Sequence, residues 1–185
     1  NHLVAYFDEL RAAGKMEYQI FLEKGDEIYA LTDEAVVMRF KGNVPAYILI
    51  PHIFFMFFAM LYSTRTGLEA LFVKRRTFQY TRITLICLTI GGLFLGPIVQ
   101  KFAFGAYWTG WPFGGDLTDN KTIVAWLFWF IAFIVLLKKR ENKIWPVIAM
   151  FVLLAVYMIP HSALGSEIDY TEDETKVTTG RSAQE

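Results

Sequence analysis

Four long apolar runs constrain this chain more than any other feature. They extend from Val44 to about Tyr62, from Ile83 to about Phe104, from Thr122 to Leu137 and from Ile144 to about Leu164. A helix needs about 20 apolar residues to cross about 30 Å of hydrocarbon. Inside lipid every backbone polar group must be paired within its own segment, so runs of this kind become helices. Lys101, near the end of the second run, is the one Asp, Glu, Lys or Arg in any of them. The third run is the shortest and needs Lys138 to snorkel, or help from residues 119–121. The chain is 55% hydrophobic, above the roughly 45–50% of soluble domains, and the excess is clustered in the runs. The expected fold is an all-α integral membrane protein: a four-transmembrane-helix bundle over 44–166, with a small α+β extramembrane segment over 1–43.

Basic residues set the expected orientation. Arg65, Lys74, Arg75, Arg76 and Arg82 follow the first run, and Lys138, Lys139, Arg140 and Lys143 follow the third. The connection between the second and third runs holds only Lys101 and Lys121. The positive-inside rule puts the two basic loops in the cytoplasm. Both termini and the loop 105–121 then face outward, which in a bacterial inner (plasma) membrane is the periplasm. Zero formal net charge argues against a nucleic-acid partner. The lack of mid-span charge argues against a transporter driven through buried carboxylates.

The segment 1–43 is predicted to hold a short helix on Leu3, Tyr6, Phe7 and Leu10, stopped at Gly14. Strands are expected over Tyr18 to Leu22 and Glu27 to Leu31, around the turn Glu23-Lys24-Gly25-Asp26, with a third over Ala35 to Phe40. So short a segment buries little core, so it is expected to be the end of a larger outer domain or a cap on a partner. The tail 167–185 is acidic and is expected to lack structure past about Thr175 unless a partner holds it.

Functional candidates gather on the outer side, where His2, His52 and His161 are expected. Ile-Pro-His occurs twice, as Ile50-Pro51-His52 and Ile159-Pro160-His161. An ionisable residue in an apolar span is a candidate site. The two histidines fit three roles. Each caps a carbonyl freed by its proline or bonds Tyr47 or Tyr157; both ligate b-type haem or a transition metal; or they line a substrate or quinone pocket. Asp116 and Asp119 precede the third run. Asp119 or Thr118 is placed to cap it, and the other carboxylate is free to join His52 and His161 as a metal ligand or its partner. Gly92 and Gly96 form a small-xxx-small pair that lets helices approach, or they leave room for a planar cofactor. Tyr107, Trp108, Trp111 and Phe113 lie among glycines; they form either a headgroup aromatic belt or rigid anchors for a partner.

Several chemistries find no footing. The sequence has no phosphate-binding glycine loop after a strand, no Gly-x-Ser-x-Gly elbow and no His-Glu-x-x-His. Cys87, the single cysteine, reads as a small packing residue. The expected function is an accessory or anchor subunit of a larger membrane assembly. It would contact the lipid bilayer and other membrane or periplasmic subunits. A haem-carrying electron-transfer subunit and an outer-face metal-dependent enzyme are the alternatives.

Overall fold

The computed structural model describes residues 4, 6–8, 10–25, 27–73 and 75–160, and the backbone of two further strands. Four helices follow a β-ribbon: α1 (Ala46–Val73), α2 (Thr77–Phe104), α3 (Leu117–Lys138) and α4 (Ile144–Met158). The first three are long and apolar enough to cross a membrane, which makes this a helical membrane protein by the length and apolarity of its helices. Ile50, Ile53, Phe54, Phe57 and Leu61 of α1 stay exposed. Such a stripe is costly in water and ordinary in lipid.

The expectation of four spans is met for three. At about 1.5 Å per residue, α4's 15 residues reach about 22 Å, short of a bilayer core. The run was predicted to continue to about Leu164. It leaves the helix at Ile159, whose backbone is extended (φ −77°, ψ 118°). A residue before proline is pushed out of the α region, and Pro160 supplies that push. His161 lies outside the described residues, as does His2. The other helices begin or end away from the predicted bounds. α1 runs eleven residues past Tyr62, taking Arg65 and Glu69 into its C-terminal turns. α2 starts at Thr77 and α3 at Leu117. Apolarity marks where a helix lies in lipid, whereas backbone hydrogen bonding carries it on into the headgroup layer.

The helices alternate in direction and pack in a ring, each against its two neighbours. Trp129 is fully buried at the centre, among Ala59, Ala125, Ala132 and Ala149, with Leu88, Met150 and Leu153 closing the cluster. Small residues on three helices make room for one indole. Gly67 makes room for Met150, since a Cβ there would lie 2.2 Å from Met150 Sδ. Cys87 is buried in this core, as a small packing residue should be.

The segment before α1 folds as strands without the expected helix; the described residues among 4–10 are not helical. Its strands are β1 (Lys15–Tyr18), β2 (Phe21–Lys24), β3 (Glu27–Ala30) and β4 (Val36–Arg39). Strand β1 pairs antiparallel with β4, and β2 with β3. The two ladders lie in series along one hairpin. They are separated where the Ile20 N–H turns to the Thr32 hydroxyl, which is why the strand expected at Tyr18 to Leu22 is split in two. The tight turn comes at Gly25, whose φ of +64° suits a residue without Cβ. At the ribbon's base the Gly42 N–H donates to the Ala103 carbonyl at 2.9 Å. A Cβ on Gly42 would lie 2.1 Å from the Phe102 oxygen, so only glycine lets the ribbon dock on the end of α2. Past α4, β5 (Ser166–Ile168) pairs with β6 (Val177–Thr179). The latter falls in the tail predicted to lack structure, where Val177, Thr178 and Thr179 form a β-branched run.

Candidate functional site at the ribbon end of the bundle

The start of α1, the end of α2 and the start of α3 enclose a cavity of about 230 Å³. Its lining includes His52, Gly92, Gly96, Gln100, Asp116 and Asp119. Five of these are candidates that the sequence singled out, contributed by three helices and one loop. Met56, Val99 and Phe104 give it apolar walls, and Lys41 reaches it from the ribbon side.

His52 sits on the second turn of α1, about 9 Å from the helix start. Pro51 lies inside α1, and the helix continues past it. Ile50 and Pro51 thus lie within a helix, whereas Ile159 and Pro160 lie past a helix end. His52 Nδ1 lies 2.9 Å from the Gly91 carbonyl oxygen. An oxygen of that kind only accepts, so Nδ1 carries the proton and a neutral ring keeps its lone pair on Nε2. The capping role was expected on a carbonyl freed by the histidine's own proline. The bond goes instead to the neighbouring helix, where α2 widens into π-helical turns over Thr89–Leu95. There the Gly91 oxygen also accepts from the Gly96 N–H. Of the two tyrosines suggested as partners, Tyr157 donates to the Met56 carbonyl at 2.5 Å and Tyr47 is exposed.

The two glycines have separate tasks. A Cβ on Gly92 would lie 2.9 Å from the Thr122 methyl, so Gly92 is where α2 and α3 touch. A Cβ on Gly96 would meet nothing closer than the Gly91 oxygen at 3.6 Å and His52 Cε1 at 3.9 Å. Gly96 is thus not required by helix packing and leaves space in the cavity.

The carboxylates hold the aromatic loop. Asp116 is the N-cap of α3 and accepts from the Thr118 and Asp119 N–H groups at 2.7 and 3.4 Å. Capping was expected of Asp119 or Thr118, one turn too late, because apolarity begins after the helix does. Asp119 Oδ2 accepts from the N–H groups of Thr109 and Gly110 at 2.7 and 3.0 Å. Asn120 Oδ1 accepts from Trp111 N–H at 2.6 Å. The Thr109 hydroxyl accepts from Gln100 at 2.7 Å and donates to Asp116 at 3.1 Å. Three consecutive loop amides are thus held by the first turn of α3. Asp116, Asp119, Thr109 and Gln100 are all buried. Outside this grip Tyr107, Trp111 and Phe113 remain 60%, 70% and 84% exposed. Trp108 is half-buried and donates to the Trp111 carbonyl.

Lys121 entered the sequence reading only as a loop charge and an extension of the third run. Its buried ammonium donates to the Ile159 and Pro160 carbonyls at 2.8 and 3.3 Å, tying α3's start to α4's end, where free carbonyls favour a cation. Asn120, Thr109 and Gln100 were missed. A signal existed for the loop clamp in Asp116-x-x-Asp119, a capping-box spacing, but its second carboxylate serves another segment. Among the described residues, no three His, Cys, Asp or Glu side chains are grouped to hold a metal ion. No known protein family, curated protein or solved structure matches the chain.

Proposed function

We propose that this protein is an accessory subunit of a larger membrane assembly, and that its outer loop and ribbon contact a neighbouring polypeptide. The observation that carries this is the pinned loop. Buried acceptors fix the backbone of Thr109 to Trp111 while three large aromatic side chains stand in the open. Rigid aromatics lose little entropy on binding, and they dominate the energetic centres of interfaces. A bilayer belt needs no such fixed backbone. The ribbon points the same way. Phe21, Leu22, Ile28, Tyr29, Val36 and Val37 are exposed, and an isolated two-stranded hairpin is marginal in water.

A photo-crosslinking amino acid at Trp111 or Phe113, in native membranes, tests the reading. The expected product is one discrete protein adduct and a native mass above that of the monomer. The same probe at lipid-facing Phe57 should give lipid adducts only. A monomeric native mass, with only lipid captured at Trp111 and Phe113, would refute the proposal.

A second reading is favoured by His52. Its Nε2 lone pair, with Nδ1 committed to Gly91, suits a ligand that donates a hydrogen bond, in a cavity where Gly96 leaves space. The cavity of about 230 Å³ is below the roughly 300–1,000 Å³ of drug-sized pockets. It suits a fragment-sized polar group better than a porphyrin. The haem and metal readings depend on His161, and the Asp116 and Asp119 oxygens already accept from loop and helix donors. Soaking with small phenols and reading chemical shifts of His52 tests this; no shift at millimolar ligand would dismiss it.

A further inference from the structure

The opposite end of the bundle carries a second cavity, of about 580 Å³, between the α1–α2 and α3–α4 turns. Its lining brings together Arg75, Arg76, Arg82 and Arg140 against one carboxylate, Glu141. We infer that this cavity is a binding site for the phosphate of an anionic phospholipid headgroup.

The arginines are mounted on built structure. Glu69, only 1% exposed, accepts the backbone N–H groups of Arg75 and Arg76 at 3.2 and 2.9 Å and the Arg65 guanidinium at 2.8 Å. That buried carboxylate closes the first turn and sets the course of the backbone bearing Arg75 and Arg76. On the other side the Arg140 guanidinium lies 3.6 Å over the Phe78 ring. Phe78 in turn stacks on Phe133, with 5.6 Å between centroids. A stacked guanidinium keeps its in-plane donors available for an oxyanion. Four guanidinium groups around one cavity repel one another, and a phosphate relieves that repulsion while taking paired N–H donors.

Position selects a lipid. The cavity lies where α1 and α3 end and α2 and α4 begin. Phe72, Val73, Leu137 and Ile144 beside it are exposed, so acyl chains have an apolar wall directly below the headgroup. Basic pockets at the inner ends of transmembrane helices take anionic headgroups.

The test uses the full chain in detergent with equimolar phosphatidylglycerol and phosphatidylcholine, read by native mass spectrometry. Wild type should retain phosphatidylglycerol preferentially. Each arginine removed should weaken retention about 5-fold, so Arg76→Gln with Arg140→Gln loses about 25-fold. Arg140→Lys should lose part of the effect, because it keeps charge without the planar fork. Arg82→Gln, an exposed change that leaves the fold intact, should lose about 5-fold even if the double variant fails to fold. Lys24→Gln on the outer ribbon should change nothing. Equal retention of the two lipids by wild type, or an undiminished preference in Arg82→Gln, would overturn the inference. Displacement of the lipid by millimolar inorganic phosphate would also overturn it, in favour of a soluble phosphate ligand.

Discussion

Asp119→Ala should release the aromatic loop without unfolding the bundle. The carboxylate accepts two backbone N–H groups, from Thr109 at 2.7 Å and Gly110 at 3.0 Å. Hydrogen bonds to a charged group contribute about 1.5–3 kcal/mol each, so the pair amounts to about 3–6 kcal/mol. Water reaches the loop once it opens and satisfies the freed amides, which favours the lower end, about 3 kcal/mol. One decade in an equilibrium constant is about 1.4 kcal/mol, so closed-state protection of these amides should fall by about two decades. Hydrogen exchange of 107–116 in detergent measures that directly. The buried core around Trp129 shares no bond with Asp119 and should keep its exchange rates. A change under about threefold in the loop amides would refute the clamp, and equal loosening of loop and core would show that Asp119 supports the whole bundle. If the loop carries the partner contact, the same substitution should also abolish the crosslink at Phe113.

Two further outcomes follow from the geometry. Gly92→Ala places a methyl 2.9 Å from Thr122 Cγ2 and should cost about 1–3 kcal/mol as overpacking. Gly96→Ala meets nothing closer than 3.6 Å and should leave thermal stability unchanged; equal effects of the two on the melting temperature in detergent would contradict their separate tasks. In a Cys87→Ala background, a membrane-impermeant maleimide should label Phe113→Cys in intact cells and Arg82→Cys only after permeabilisation. The reverse pattern would overturn the orientation.

Much of the architecture was legible because lipid imposes a simple rule. A segment without charge that is long enough must be a helix, and basic loops must alternate with neutral ones. The ends of the helices were less legible. Arg65 and Glu69 look like loop residues, yet Glu69 is buried because its acceptors satisfy the next turn. The fourth run continues past Pro160 in apolarity, yet the helix stops before it, since nothing in the sequence says whether the residue before a proline will stay helical. The candidate site was half legible. Histidine, glycine and aspartate stood out by residue type, whereas Lys121, Thr109 and Gln100 matter only through partners from 7 to 39 residues away.

Residue type and spacing alone marked the apolar helices, the basic loops and His52, Asp116 and Asp119 as candidates at one end of the bundle, because burial in lipid acts on each segment separately. Tertiary structure decided which glycine packs and which leaves space, which carboxylate caps and which clamps, and that His52 bonds the widened turn of α2. Those assignments depend on distances between segments, and hydrogen bonds and steric contacts act only across a few ångströms.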